Sequence, residues 1–348
     1  MVDPANILEG LKARRPASLA RAISIVENAS AGSEALLGGL HSLVGGARRI
    51  GITGPPGAGK STLIERLAAH WRTGGLTVGI IAIDPTSPFT GGALLGDRIR
   101  MERAALDPGV FIRSMASRGS LGGMATTTGE VADVMDAYGF DRILVETVGV
   151  GQSELDVASV SDTTVVVLVP ESGDGIQVMK AGLMEIADVY VVNKADRPGA
   201  DRLRQELEVA IGLKSGQAFR HVPGHHGHDS SETRSSEGGK AKAKDMAWEP
   251  PVLATVAPRD EGVAELSGAL DRHFRWLERD GGLAARRARQ LERRTREVLE
   301  RAVRRWAWSD AAPRAALEAA LADVASGRRS PYEAAAAAVE RIRRSERA

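Results

Sequence analysis

Residues 49–62 read RIGITGPPGAGKST, and this stretch decides the fold. A short β-rich run (49–53) precedes a glycine-rich segment of the pattern G-x-x-x-x-G-K-[ST], and a helical pattern follows it. Glycines let the backbone wrap closely around phosphate oxygens, and successive N–H groups at a helix start bind anions. The sequence therefore predicts a phosphate-binding loop between a strand and a helix.

The residues of this loop have distinct expected roles. Lys60 places a cation on the β and γ phosphates of a nucleoside triphosphate, and Ser61 offers its hydroxyl to Mg²⁺. The expected nucleotide contacts here are Gly54, Pro55, Pro56, Gly57, Ala58, Gly59, Lys60, Ser61 and Thr62.

Further β-rich runs follow the loop, and helix-like stretches separate them. Several are apolar throughout, as expected of parallel strands that are buried on both faces. The pattern predicts an α/β fold of the P-loop NTPase type, with a mostly parallel central sheet flanked by helices. The runs are TVGIIAID (77–84), RILVET (142–147), TTVVVLV (163–169), VYVVN (189–193) and PVLATV (251–256).

The chain divides by pattern into three regions. We expect an N-terminal helical segment (1–48), a nucleotide-binding domain (49–280) and a C-terminal helical region (281–348). Residues 214–248 are polar and rich in Gly, Ser, His and Lys, which predicts a disordered surface insertion. In the C-terminal region an apolar stripe at helical spacing predicts a partner helix: Leu291, Thr295, Val298, Ala302 and Trp306.

Composition restricts the possible partners. Lys and Arg total 46 against 45 Asp and Glu, so the net charge of +1 gives no whole-protein case for binding nucleic acid or membrane. The Arg-rich C-terminal helix also carries interspersed Glu residues, which favour a partner helix over either of those surfaces. The absence of Cys excludes thiolate metal sites and cysteine nucleophiles. Without a signal core or a long apolar stretch, we expect a soluble, cytoplasmic protein.

Two acidic residues, Asp84 and Glu146, end predicted strands. Ligands of open α/β sheets bind beyond the carboxyl ends of the strands, so both carboxylates could reach Mg²⁺ or its waters. Glu146 also begins an acid-x-x-Gly pattern that ends at Gly149, whose N–H would meet the γ-phosphate. Two departures are notable: the usual acid is Asp, and Val150 stands where Ras-like GTPases carry a water-orienting Gln, with Gln152 out of register.

A second motif, N-K-x-D, occupies Asn193, Lys194 and Asp196 at the end of a predicted strand. An Asp carboxylate accepts hydrogen bonds from the ring N–H and the exocyclic amine of guanine, and adenine offers no such pair. The stem of Lys194 can lie along the base. Later, GTPases usually carry a short Ser-Ala motif that touches the base; here Thr255, Val256 and Ala257 stand there and the serine is missing. We therefore expect GTP hydrolysis, with GTP/GDP and Mg²⁺ as cofactors.

Together these residues closely resemble the methylmalonyl-CoA mutase-associated GTPases of the MeaB/ArgK type. The resemblance covers roughly residues 15–310. The decisive stretches are IDPTSPFTGGALLGDRIRM (83–101), FIRSMASRGSLGG (111–123), VETVGVGQSE (145–154) and NKAD (193–196).

The resemblance implies a GTPase that acts as the chaperone of an adenosylcobalamin-dependent acyl-CoA mutase. Such proteins gate cofactor loading and protect or reactivate the mutase, and they form homodimers through a C-terminal helical arm. The resemblance also implies that Asp174, Gln177 and Lys180 respond to the mutase. The expected catalytic residues are then Lys60, Asp97, Glu146 and Gly149, and the expected metal ligands are Ser61, Asp84, Asp97 and Glu146.

Other functions remain open at this point. A GTP-dependent metallochaperone is the main alternative, since imidazoles in the insertion could bind nickel, although a low-complexity segment favours a solvated loop. A small-molecule kinase is less favoured because no acceptor-site signature is present and NKAD favours GTP. Methylmalonyl-CoA, isobutyryl-CoA and ethylmalonyl-CoA mutases all remain candidate partners. The imidazoles are His221, His225, His226 and His228.

Overall fold

A parallel sheet of seven strands forms the centre of the larger of two structural units, Met1–Arg287. The computed structural model describes residues 4–85, 101–117, 123–147, 153–170, 182–214, 247–279, 281–309 and 311–345. The order across the sheet is β3-β2-β4-β1-β5-β6-β7. The strands are β1 (Arg48–Thr53), β2 (Val78–Pro85), β3 (Val110–Ser117), β4 (Arg142–Glu146), β5 (Thr163–Leu168), β6 (Val189–Asn193) and β7 (Val252–Thr255).

Helices cover both faces of this sheet, and consecutive strand residues point to opposite faces. Val165 and Val167 of β5 pack into one hydrophobic cluster, and Val166 and Leu168 pack into another. The predicted α/β fold is thus confirmed. The helices of this unit are α1 (Pro4–Lys12), α2 (Pro16–Glu27), α3 (Ser33–Leu40), α4 (Lys60–Thr73), α5 (Glu102–Ala105), α6 (Gly123–Tyr138), α7 (Ser153–Asp156), α8 (Leu183–Ile186), α9 (Ala200–Lys214) and α10 (Val263–Arg279).

The N-terminal helices α1 to α3 are part of the larger unit and share a core with α6 and the sheet. The connection from these helices to β1 is fastened by Asp136 of α6. Its carboxylate accepts hydrogen bonds from the backbone N–H groups of Gly45, Gly46 and Ala47 at 2.9, 3.0 and 2.9 Å. This tie fixes the position at which β1 enters the sheet.

The strand β3 is an edge strand that the sequence pattern did not predict. Its sequence, VFIRSMAS, mixes apolar and polar residues and so lacks the continuous apolar run of the central strands. Arg113 points its guanidinium to Glu27 of α2, with Nε donating to Oε2 at 2.9 Å. An edge strand has one side without a strand neighbour and tolerates such polar side chains, which hides it from a search for apolar runs.

The smaller unit, Ala288–Ala348, is helical. It contains most of α11 (Gly282–Ser309), together with α12 (Ala311–Ala325) and α13 (Pro331–Ser345). The last two helices pack as a hairpin in which Ala316, Ala334 and Ala338 are buried. Among the residues that the structure describes, no helix is both long and apolar enough to cross a membrane. Apolar side chains of α11 remain exposed at Leu291, Val298, Leu299, Val303 and Trp308.

The first turn of α11 belongs to the larger unit and is held there by two arginines. Arg287 binds Asp162 with Nε to Oδ1 at 2.8 Å and Nη2 to Oδ2 at 2.7 Å, and it also donates to the carbonyls of Gly45 and Ala47. Arg286 forms a bidentate ion pair with Asp188, with hydrogen bonds of 2.8 and 3.0 Å. Both aspartates precede strands, so the helix starts from a fixed point at the amino ends of β5 and β6.

Candidate nucleotide site

The phosphate-binding loop leaves the carboxyl end of β1 and enters α4, as the sequence predicts. The neighbours of β1 are β4 on one side and β5 on the other, where the strand order reverses and ligands of such sheets bind. Gly54 adopts a φ of 137°, and a Cβ on it would lie 2.0 Å from the carbonyl oxygen of Val167. A residue with a side chain would therefore push the loop off the sheet.

Lys60 is the first residue of α4, and its side chain is folded back over the loop. Nζ donates to the carbonyl oxygens of Gly54 and Pro55 at 2.7 and 3.0 Å, and the residue is buried. Its ammonium group and the positive end of the α4 dipole therefore point to the same region. This arrangement favours binding of an anion at the loop.

Ser61 and Glu146 meet beside the loop because β1 and β4 are paired with Ile52 opposite Glu146. The Ser61 hydroxyl donates to Oε1 of Glu146 at 2.7 Å. Hydroxyl and carboxylate oxygens are the ligands that Mg²⁺ prefers, and this ion usually takes only one or two of them from the protein, the rest being phosphates and waters. The donor set therefore fits Mg²⁺. The described residues contain no cluster of three or more His, Cys, Asp or Glu that would hold a metal by protein ligands alone.

Asn193, the last residue of β6, joins three segments of the site. Its Nδ2 donates to the carbonyl oxygen of Ala58 in the phosphate loop at 2.8 Å. Its Oδ1 accepts from the Thr255 hydroxyl at 3.0 Å and from the Ala257 backbone N–H at 3.3 Å. The same amide lies close to Gly59, where a Cβ would come within 2.5 Å of Nδ2. The side chain is buried, so these bonds are shielded from water.

The other residues of the N-K-x-D motif form a tight turn after β6. Lys194 has a φ of 55°, an uncommon conformation for a residue with a side chain, and Ala195 donates its N–H to the Thr255 carbonyl at 3.0 Å. Asp196, which the sequence assigns to guanine, is partly exposed and accepts a hydrogen bond from Arg259. The turn thus carries the carboxylate at the surface and its anchoring residues in the interior.

The Thr255–Ala257 segment lies directly beside this turn. Thr255 ends β7, and Val256 and Ala257 are buried. The carbonyl and hydroxyl of Thr255 and the N–H of Ala257 are used to hold the N-K-x-D turn. Arg259 follows in the same loop, and sequence reasoning did not single it out, since no motif marks an arginine at this point.

Several sequence-predicted residues lie outside the part of the chain that the structure describes. For Asp84, only the backbone in β2 is described, where it pairs with Ala116. The roles expected of these residues stay predictions, as does the character of the insertion, of which 215–246 fall outside the described ranges. The sequence-predicted residues that lie wholly outside the described ranges are Asp97, Gly149, Val150, Gln152, Asp174, Gln177, Lys180, His221, His225, His226 and His228.

A phosphate-binding loop, an adjacent Ser–Glu pair and an N-K-x-D turn, joined on a parallel sheet, define a P-loop GTPase. The chain belongs to the methylmalonyl Co-A mutase-associated GTPase MeaB family, whose model matches residues 19–312. The expected family and the expected enzyme class, a GTP hydrolase, are thereby confirmed.

Individual proteins are similar to this chain over most of its length. A protein of Pyrococcus abyssi whose name places it among the GTPases is 46% identical over 299 residues, 86% of this chain and 84% of that one. The mitochondrial methylmalonic aciduria type A homolog of Mus musculus is 34% identical over 245 residues, 70% of this chain and 52% of that protein. A crystal structure described as a LAO/AO transport system kinase matches with a TM-score of 0.66 and 26% identity, covering 99% of each chain.

Proposed function

We propose that this GTPase is the chaperone of an adenosylcobalamin-dependent acyl-CoA mutase and that it gates cofactor loading and protects or reactivates the mutase. The observation that carries the proposal is the match of residues 19–312 to a family named for its association with methylmalonyl-CoA mutase. The name of the murine relative refers to methylmalonic aciduria, which supports the same mutase as the partner.

The phosphate loop supplies charge and N–H donors to the triphosphate. Lys60 exchanges its bonds to the carbonyls of Gly54 and Pro55 for phosphate oxygens, and its buried position makes the electrostatic gain larger than in water. Phosphoryl transfer depends mainly on such positioning and charge stabilisation. Lys60 therefore acts both in binding and in the hydrolytic step.

Ser61 and Glu146 would hold Mg²⁺ directly or through its waters. When bound, the ion neutralises charge on the β and γ phosphates. Asp84, near the carboxyl end of β2, and Asp97, further along the sequence, are proposed to complete this set.

Asp196 gives the site its preference for guanine, since its carboxylate accepts from two N–H groups that adenine lacks. The N-K-x-D turn (residues 193–196, here called the base turn) and the phosphate loop share Asn193. Binding at one end of the nucleotide therefore constrains the other. This connection supports a nucleotide-dependent change of conformation as the means of control. Asp174, Gln177 and Lys180 are proposed to transmit that change to the mutase.

A second copy of this chain is proposed as the partner of the C-terminal helices. Five large apolar side chains along α11 are exposed, and such a surface is normally covered in a stable protein. The Glu residues interspersed among the Arg residues of the helix suit a helical partner with both charge signs. A homodimer would cover the predicted stripe, of which Leu291 and Val298 are exposed, with the same stripe of a second copy.

The proposal is tested by mixing the protein with purified methylmalonyl-CoA, isobutyryl-CoA and ethylmalonyl-CoA mutases and measuring complex formation by sedimentation. We expect one mutase to bind with an affinity that differs between GDP and a non-hydrolysable GTP analogue. The Lys60→Ala variant is the control, because it should lose the difference between nucleotides. If no mutase binds in either nucleotide state, the chaperone assignment is wrong.

A further inference from the structure

The carboxylate that reads guanine already has a cationic partner within the protein. Nη2 of Arg259 donates to Oδ2 of Asp196 at 2.9 Å, across 63 positions of sequence. Its Nη1 lies 3.7 Å from Oε1 of Glu261 on the other side. The guanidinium is thus held between two carboxylates, one of which belongs to the base-reading motif.

The backbone around Arg259 is arranged so that this side chain reaches the base turn. Residues 257–259 form a short 3-10 turn, closed by a bond from the Arg259 N–H to the Val256 carbonyl at 2.9 Å. Gly262 has a φ of 76°, and a Cβ there would lie 2.1 Å from the carbonyl oxygen of Ala254. The loop is therefore pressed against β7 and has little freedom to carry Arg259 away.

A second ion pair fixes the same loop from the opposite direction. Asp260 has a φ of 61° and accepts from Nη1 of Arg66, on α4, at 3.2 Å. The loop is thereby tied to the phosphate-loop helix through Asp260 and to the base turn through Arg259. Arg259 and Asp260 are adjacent in the chain, but their ion pairs reach different elements of the fold. Breaking one pair can therefore serve as the control for breaking the other.

We propose that Arg259 is a positioning residue for guanine recognition, which holds the Asp196 carboxylate in the orientation that accepts both N–H groups of the base. This inference rests on the assignment of the N-K-x-D turn as the guanine site. A carboxylate has about four lone-pair positions, so it can accept from Arg259 and from guanine together. Because guanine covers the pair from water, the attraction between the two charges becomes stronger in the bound state.

The test compares GDP with inosine diphosphate, whose base lacks the exocyclic amine and gives Asp196 only one N–H. In Arg259→Ala the carboxylate is free to turn, so we expect GDP affinity to fall about three- to tenfold, as for an ion pair that becomes partly covered. Inosine diphosphate affinity should fall less, so that the preference for GDP decreases. Arg259→Lys should restore part of the preference.

Arg66→Ala is the control, because it releases the same loop without removing the partner of Asp196. It should leave the preference for GDP over inosine diphosphate unchanged. In an Asp196→Asn background, Arg259→Ala should have no further effect on that preference. An unchanged preference in Arg259→Ala, or tighter GDP binding, would overturn the positioning role, whereas a wild-type protein with no preference for GDP would overturn the guanine-site assignment itself.

Discussion

Asn193 and Ala58 are joined by a hydrogen bond of 2.8 Å that links the base turn to the phosphate loop. The donor is the side-chain amide of Asn193 and the acceptor is a backbone carbonyl, so only a side chain that donates at this point can make the bond. The opposite end of the same amide, Oδ1, accepts from β7 and the segment after it. One buried side chain therefore sets the spacing between the two nucleotide-binding segments.

The substitution Asn193→Asp isolates the role of this donor. Aspartate keeps an oxygen for Thr255 and Ala257 but puts a second oxygen against the Ala58 carbonyl. We expect a loss of about 2–4 kcal/mol in the free energy of unfolding, because two buried acceptors then face each other. GDP affinity should fall as well. Urea unfolding and calorimetry measure the two effects, and an unchanged GDP affinity would contradict the link between base turn and phosphate loop.

Lys60 is expected to be indispensable for hydrolysis. Lys60→Ala removes the cation that stabilises charge on the γ-phosphate, which commonly contributes a few kcal/mol to the transition state and hence about a hundredfold or more in rate. The fold should survive, since the change removes no side chain of the hydrophobic core. His70→Ala, an exposed change near the far end of α4, is the control. GTP turnover at the wild-type rate in Lys60→Ala would show that the phosphate site is wrongly assigned.

Asp188 should make the stability of the larger unit depend on acid pH. Burial opposes its ionisation, but the His273 ring, with Nε2 3.3 Å from Oδ1, and the two hydrogen bonds from Arg286 outweigh this effect and hold the pKa of Asp188 below its ordinary value. A carboxyl whose pKa is lower in the folded state stabilises the protein above its unfolded pKa, near 4, and this contribution disappears as the pH falls through the folded pKa.

The variant Asp188→Asn tests this directly. At pH 7 it should lose about 3 kcal/mol of unfolding free energy, because it leaves Arg286 without its charge partner. Between pH 4 and more acidic conditions the difference from wild type should shrink, since the wild-type carboxyl then becomes neutral too. Asp201→Asn, at an exposed position of α9, serves as the control. A difference that is independent of pH would show that Asp188 does not act through its charge.

Removal of the C-terminal helices should leave a stable protein only if the chain is cut after Arg287. A chain that ends at residue 287 keeps Arg286 and Arg287, and we expect a monomer that still binds GDP. A chain that ends at 283 loses both arginines and leaves the buried Asp162 and Asp188 without them, so it should be less stable by several kcal/mol. Sedimentation and urea unfolding distinguish the two. A full-length protein that sediments as a monomer would contradict the proposed dimer.

The parts of this molecule that sequence predicts well are those in which chemistry requires fixed residues at short spacing. The loop around Lys60 and the turn around Asp196 are of this kind, and the buried runs of β5 and β6 follow from their position in the centre of the sheet. The edge strand β3 was missed because its polar residues break the apolar run. The Arg259–Asp196 and Arg286–Asp188 pairs were also missed, since they join residues far apart in sequence and charged residues are common everywhere.

The absence of a water-orienting glutamine after Gly149 bears on the rate of hydrolysis. Val150 can neither orient nor polarise water, and none of the described motifs supplies an arginine to the γ-phosphate. The isolated protein should therefore hydrolyse GTP slowly. A partner that orders the segment around Asp174, Gln177 and Lys180 should raise the rate. Hydrolysis would then determine when the complex changes its state.

The most direct test is single-turnover hydrolysis of GTP, measured with and without the cognate cobalamin-dependent mutase. We expect a slow rate for the protein alone and a rise of about tenfold or more on addition of the mutase, within the range that an added catalytic group can supply. Lys60→Ala should show no hydrolysis under either condition. A fast rate in the isolated protein that the mutase leaves unchanged would contradict the proposed timing of the mutase by GTP hydrolysis.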